Sequence, residues 1–449
     1  MHNTMAKQKR VLIVSSVPIT HFGNLGIDRV AALENFGYEV DYLTKYQDEN
    51  PHVIGVYPKR RNTLFLKSIK SVVSLRCLSF LKHWYSSLFE KNNYINKDGI
   101  IITNPDENCP AVDNNQLLSL IEPIYSFVYV LAWQDMITSS SLRAIYDKLH
   151  VPIIITTVDF QPITGGCYYF GKCRNFEVGC GNCPVLGGMD ENDITRQNFL
   201  VKKENYNSMN CGFMVNPYSM EYVKRARLVS SNDRYQISYY SMDENLYKPL
   251  NRDYCRHICG INEEKKYVIL SRFTSFSDKR KGYSYLVSAI NSFASEIGAR
   301  KNEILLLLVG GRDESFENLF NVDVHNLGYL NVESLIQAYS AADIFISSSV
   351  DDAGPSMVNQ SIMCGTPVLS FNIGSALYLV DNDETGYIVK LRDVDSMTQS
   401  LVKHFNLTPE ERSVMKNKCR EKGVKTGSRE IFARTVVDFA EKLSNLIYN

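Results

Sequence analysis

Apolar positions along the chain fall into short unbroken runs, and stretches with helical spacing separate them. In the first half "RVLIVSS" is such a run, with Val11 to Val14 as its buried centre. A glycine-containing turn at Gly23 and Gly26 follows, then a helical pattern over Asp28 to Phe36, and "YEVDYLT" resumes as a second strand. "FVYVLAW" and "VPIIITTVDF" carry the β-branched and aromatic residues of strands covered on both faces. The second half repeats the rhythm. "YVILSRF", "EILLLLVGG", "DIFISSS" and "TPVLSF" read as strands, with "KGYSYLVSAINSFAS", "VESLIQAYSAA" and "PSMVNQSIMCG" as helices between them. Strand alternating with helix predicts an α/β chain with two doubly wound parallel sheets. The pattern lapses between Met242 and Glu264, around Pro249, so the expected domains are residues 1–245 and 246–427. Residues 428–449 close the chain as an amphipathic helix with Phe432, Val436, Phe439 and Leu443 on one stripe.

The length of 449 residues agrees with that division, because one core rarely organises so long a chain. Lys and Arg together number 49 and Asp and Glu 49, so no overall charge draws the chain to nucleic acid. Lys7, Lys9 and Arg10 ahead of an apolar run look like the start of a secretion signal, yet the run reads better as a first buried strand. No apolar run reaches the roughly 18 residues of a membrane span, and a cytoplasmic protein is expected. One local exception to neutrality lies between Lys59 and Lys91, where eight Lys or Arg residues face a single acid, Glu90. Leu66, Ile69, Val73, Phe80 and Trp84 follow helical spacing within it, which predicts a basic face able to meet an anionic membrane surface.

Three further groups carry chemistry. Cys167, Cys173, Cys180 and Cys183 have the spacing C-x5-C-x6-C-x2-C, and Gly181 allows a tight turn between the last two. Four thiolates suit a closed tetrahedral zinc site of structural type, the alternative being four thiols that stay reduced or pair as disulfides. Cys255, His257 and Cys259 stand too close together to converge on one ion and read as structural. "SRFTSFSDKRKGYSYL" places Arg272 at a strand end and Lys281 just before a helix, with Arg280 as a neighbour of no assigned role. In "VDDAGPSMVNQSIMCGTPVLSF", Gly354 is expected to take an unusual backbone angle, Pro355 to occupy the first helical position and Ser356 to open a helix. The free amides of such a helix start suit an anion.

The long ordered segment "NLGYLNVESLIQAYSAADIFISSSVDDAGPSMVNQSIMCGTPVLSFNIGSALYLVDNDETGYIV" resembles the retaining glycosyltransferases of family 4. "VDFQPITGGCYYFGKCRNFEVGCGNCPVL" is similar to the four-cysteine segment, residues 160–190, of a bacterial subgroup that builds capsule, exopolysaccharide or lipopolysaccharide. The resemblance implies a GT-B fold: two facing Rossmann-like domains, acceptor on the first, nucleotide sugar on the second, and the last helix crossing back. It implies that Arg272 and Lys281 face the diphosphate of a UDP- or GDP-sugar, that Asp352 meets the donor sugar and that Gln360 holds the ribose. Gln360 stands where the family carries an acid, and its alternative is a plain surface position. Retention without a catalytic metal is expected, with a glycan or lipid-linked saccharide as acceptor and Gly23 and Gly26 in a glycine loop on the acceptor side. Related segments read histidine and aspartate where this chain has Val158 and Asp159, so Asp159 either takes over part of that role or caps a turn. Rival readings are a nucleotide-sugar-binding subunit without activity and a nucleotide-sugar epimerase on the same fold.

Overall fold

The computed structural model describes residues 9–58, 95–97, 100–102, 106–352, 354 and 356–446. Their β-branched runs form strands because flat, branched side chains pack well on a pleated surface. In the first half these are β1 (Arg10–Ser15), β2 (Glu39–Tyr46), β3 (Val53–Tyr57), β4 (Ile95–Lys97), β5 (Ile100–Ile102), β6 (Phe127–Ala132), β7 (Ile153–Thr156), β8 (Cys167–Tyr169), β9 (Cys211–Val215) and β10 (Tyr235–Ile237). Seven of them make one parallel sheet in the order β10-β9-β7-β6-β1-β2-β3, and β4, β5 and β8 form a small antiparallel sheet beside it. The second half holds β11 (Tyr267–Phe273), β12 (Ile304–Gly310), β13 (Asp323–Asn326), β14 (Ile344–Ser347), β15 (Val368–Phe371) and β16 (Gly386–Val389). They form a second parallel sheet ordered β13-β12-β11-β14-β15-β16. In both sheets the strand order reverses beside the first strand, β1 or β11, so the crevice at the carboxyl ends is the natural binding place.

The helix Arg429–Asn445 belongs in space to the first domain. Its Phe432, Val436, Phe439 and Leu443 are buried against Val11, Ile13, Tyr129 and Met214, as the apolar stripe predicts. The chain therefore passes between domains twice, and the two passages touch: the amide of Met242 donates to the carbonyl of Gly427 at 2.9 Å. Arg429 ties this crossing to Asp28 at 2.5 Å and Asp243 at 2.9 Å.

One expectation fails. Gly23 and Gly26 lie inside the helix His21–Asn35 rather than in a turn before it. The glycine at 26 answers a different need, because a Cβ there would come within 2.7 Å of the Ile19 carbonyl oxygen. The basic segment Lys59 to Lys91 lies outside the described residues. Among the described residues no helix is long and apolar enough to cross a membrane.

Candidate functional site

A cavity of about 790 Å³ lies between the domains, lined by residues just after the strands of both sheets. From the second domain Arg272, Lys281, Asp352, Gly354, Ser356 and Gln360 reach it; from the first domain Val158 and Asp159 do. Pro355 lies outside the described residues, and Gly26 is not among the residues that line the cavity. The helix Ser356–Met363 starts at the cavity wall, with Ser356 opening it as expected. Gly354 is not in the left-handed region. What its place requires instead is closeness, since a Cβ there would lie 3.3 Å from Asn216 Nδ2 of the first domain.

The two cations are held differently. Lys281 ends the short turn Lys279–Lys281, and its Nζ donates to Asp352 Oδ2 at 2.6 Å. The other Asp352 oxygen accepts from the Gly354 amide at 3.0 Å, which fixes the carboxylate. Arg272 donates to Gln360 Oε1 at 2.5 Å and to the Tyr339 hydroxyl at 2.9 Å. Gln360 is buried, so it is no surface residue of an amphipathic helix. Burial pushes the Tyr339 phenol up to about 12, which keeps it neutral beside the guanidinium. An amide at position 360 leaves the charge of Arg272 uncancelled, where a carboxylate at the same distance would neutralise it.

Asp159 enters from β7 on the opposite wall. Its Oδ1 accepts from the Gln161 amide at 2.8 Å and its Oδ2 from the Gln134 side chain. Burial raises it to about 7, against the weaker opposing pull of the Gln161 amide and of Lys202. A carboxyl so shifted would exchange a proton near neutrality, and its Oδ1 also caps the local turn through the Gln161 amide. Val158 beside it is exposed to the cavity, so the position of the absent histidine is occupied by an apolar group.

Behind this wall, Lys202 is completely buried. Its ammonium donates to the carbonyls of Gln161 at 2.7 Å and Thr164 at 2.8 Å and pairs with Glu107 at 3.2 Å. The four-cysteine segment begins there. All four thiols are unpaired, and the amides of Gly165 and Asn175 approach the sulfurs of Cys180 at 3.2 Å and Cys173 at 3.5 Å. Cys180, Gly181 and Asn182 share left-handed backbone angles of 60°, 84° and 46°, the tight turn expected of Gly181. Among the described residues no three His, Cys, Asp or Glu side chains converge closely enough to hold a metal. Sulfur is the right donor and four the right number, so the segment fits zinc in composition and not yet in convergence.

The sequence reading missed several lining residues: Lys45, Gln134, Tyr168, Tyr169 and Tyr329. Lys45 and Gln134 lie at or just past the carboxyl end of a parallel strand, which is the signal that points to them. Tyr168 and Tyr169 arrive by the small antiparallel sheet, directly after Cys167.

Comparison with known proteins agrees with this architecture. Residues 256–422 match the family model of the group 1 glycosyl transferases. An uncharacterized glycosyltransferase of Methanocaldococcus jannaschii is 25% identical over 148 residues, which are 32% of this chain and 36% of that protein. The match thus spans little more than a third of that relative's length. The structure is similar to sucrose-phosphate synthase of Thermosynechococcus elongatus, with a TM-score of 0.62, 16% identity, and 98% of this chain and 100% of that one covered. It is also similar to HepE of Anabaena in complex with UDP and glucose, with a TM-score of 0.55, 11% identity, and 96% and 98% covered. At such identities these likenesses speak to the fold, which is GT-B: two facing Rossmann-like domains, the second carrying a glycosyl transferases group 1 domain.

Proposed function

We propose that this chain, whose second half is a glycosyl transferases group 1 domain, is a retaining glycosyltransferase using a UDP- or GDP-sugar. The observation that carries the reading is the meeting of Arg272, Lys281 and the start of the helix Ser356–Met363 on one interdomain cavity. A departing nucleoside diphosphate develops negative charge, and two fixed cations beside free helix amides stabilise it where it forms. Such a site needs no catalytic metal. In the reaction the bond from the anomeric carbon to the phosphate oxygen breaks, and the acceptor oxygen bonds to that carbon from the same face. The released phosphate oxygen takes the acceptor proton, so configuration is retained. In this reading Asp352 holds donor-sugar hydroxyls while fixing Lys281, Gln360 holds the ribose while leaving Arg272 charged, and Asp159 faces the reacting sugar. The Lys281–Asp352 and Arg272–Gln360 contacts and the cavity lining support it.

The acceptor in this reading is a saccharide, free or lipid-linked, of a surface polysaccharide such as capsule, exopolysaccharide or lipopolysaccharide. The basic segment Lys59 to Lys91 would bring the cleft to an anionic membrane where a lipid-linked acceptor lies. The four-cysteine segment is read as a structural zinc site whose thiolates close on the ion as it binds.

A thermal-shift panel of UDP- and GDP-sugars identifies the donor, because binding only the folded state raises the melting temperature. Radiolabelled transfer to saccharide acceptors then tests turnover, with Lys281→Ala and Arg272→Ala each lowering it about a hundredfold. Binding of a donor without turnover in any acceptor mixture would instead favour the inactive binding subunit. Equal turnover in wild type and both variants would remove the assignment of the diphosphate site.

A further inference from the structure

Arg280 and Lys281 are adjacent cations, yet in the tight turn Lys279–Lys281 their side chains diverge. Lys281 turns into the cavity toward Asp352. Arg280 turns across the domain boundary, with its guanidinium carbon 4.3 Å from the ring centroid of Tyr169 on β8. The sequence reading gave Arg280 no role, and the contact between domains assigns it one. It is not among the residues that line the cavity, whereas its ring partner Tyr169 is.

The backbone of Arg280 is locked to the loop that carries Asp352. Its carbonyl accepts from the Val350 amide at 2.7 Å, and the next carbonyl, of Lys281, accepts from the Ser348 hydroxyl at 3.0 Å. Whatever holds the Arg280 side chain thereby also places Val350 to Asp352 and the Lys281 ammonium. On the first domain Tyr169 directly follows Cys167 and Tyr168 in β8, so the four-cysteine segment carries the ring. An aromatic stack backs it nearby, running from Phe176 through Phe170 and Tyr222 to Tyr218. Tyr218 packs on the cores of both domains and touches the cluster that includes Val350. A second approach of the domains lies at Asn216 and Gly354.

We propose that Tyr169 and Arg280 form an interdomain latch, with Arg280 as a positioning residue that sets the Lys281–Asp352 pair from the cysteine-rich segment of the opposite domain. The geometry of the latch stands independently of catalysis, while its kinetic consequence rests on the glycosyltransferase reading. A cation held over a ring face in a partly desolvated site is strong enough to bias domain closure.

Two measurements on the full chain test it. In small-angle scattering without ligand, Tyr169→Leu and Arg280→Met each shift the radius of gyration upward, and the double variant shifts no further than either alone. Tyr169→Phe keeps the ring face and stays as compact as wild type. In donor turnover with the sugar nucleotide found by thermal shift, each single variant loses about tenfold in kcat/KM, the scale of a desolvated cation–π contact. The double variant again loses no more than one single variant. Scattering curves that coincide for all variants, or additive losses in the double variant, would overturn the latch. Lys281→Ala run alongside separates the two ideas: compact but inactive protein supports the diphosphate site whatever the latch does. Wild type that shows no turnover leaves scattering as the deciding measurement.

Discussion

Replacing Asp159 by Asn removes a carboxyl that burial holds at about 7 instead of its ordinary 3.8. Because the folded state binds this proton more tightly than the unfolded state, the group's stabilisation is complete below 3.8. It is lost as pH rises toward 7 and stays constant above that. Each pH step inside the window favours unfolding by about 1.4 kcal/mol, which amounts to roughly 4 kcal/mol across it. The asparagine keeps the shape without the charge: its oxygen accepts from the Gln161 amide, and its NH2 faces a Gln134 amide that can rotate to present oxygen. The variant is therefore expected to gain on wild type by about 3 kcal/mol between pH 5 and pH 8. Urea unfolding followed by tryptophan fluorescence reads the right domain, since Trp84 and Trp133 both belong to the first half. At ordinary denaturant sensitivity the gain appears as a midpoint difference that widens by about 1 M or more. Midpoints that run parallel for the two proteins from pH 5 to pH 8 would show that Gln134, Gln161 and Lys202 hold an ordinary carboxylate, and the reasoning from burial would fall.

Other outcomes follow from the same geometry. Gln360→Glu should keep transfer within about tenfold while weakening nucleoside diphosphate binding in titration calorimetry, because the new carboxylate neutralises Arg272. Gln360→Ala should raise the donor KM more than it lowers kcat, as expected of a contact shared by ground and transition states. Lys202→Met should destabilise the first domain by about 3–5 kcal/mol in urea, since Glu107 and two carbonyls would stay buried without their cation. Elemental analysis of protein purified without chelator should find close to one zinc per chain, and four freely titrating thiols with no metal would end that proposal.

The parallel strands were legible because Val11 to Val14, or Ile304 to Leu308, have few other ways to hide branched apolar side chains. The place of Arg272, Lys281 and Asp352 at the cavity was legible too, since Arg272 ends one strand of a recognisable series and the other two sit on loops that follow such strands. Gly26 misled because a glycine marks either a turn or a close approach, and only the position of Ile19 decides between them. The buried state of Gln360 was hidden, as its partner Arg272 comes from a distant strand and no local pattern announces the pair. Arg280 shows the same limit more sharply. A basic turn looks solvated in one dimension, and the ring that receives it sits in the other domain.

The helix Arg429–Asn445 bears on how the protein is made. On the ribosome the first sheet emerges early, but the face formed by Val11, Ile13 and Met214 completes its cover only once Leu443 has left the exit tunnel. Throughout synthesis of the second domain the helix His21–Asn35 covers only part of that face, and the rest is a sticky surface for holdase chaperones and for neighbouring nascent chains. A stop codon between residues 390 and 428 would therefore leave both sheets encoded but the first one only partly covered, so truncated products should aggregate or be degraded rather than persist as half-working binders.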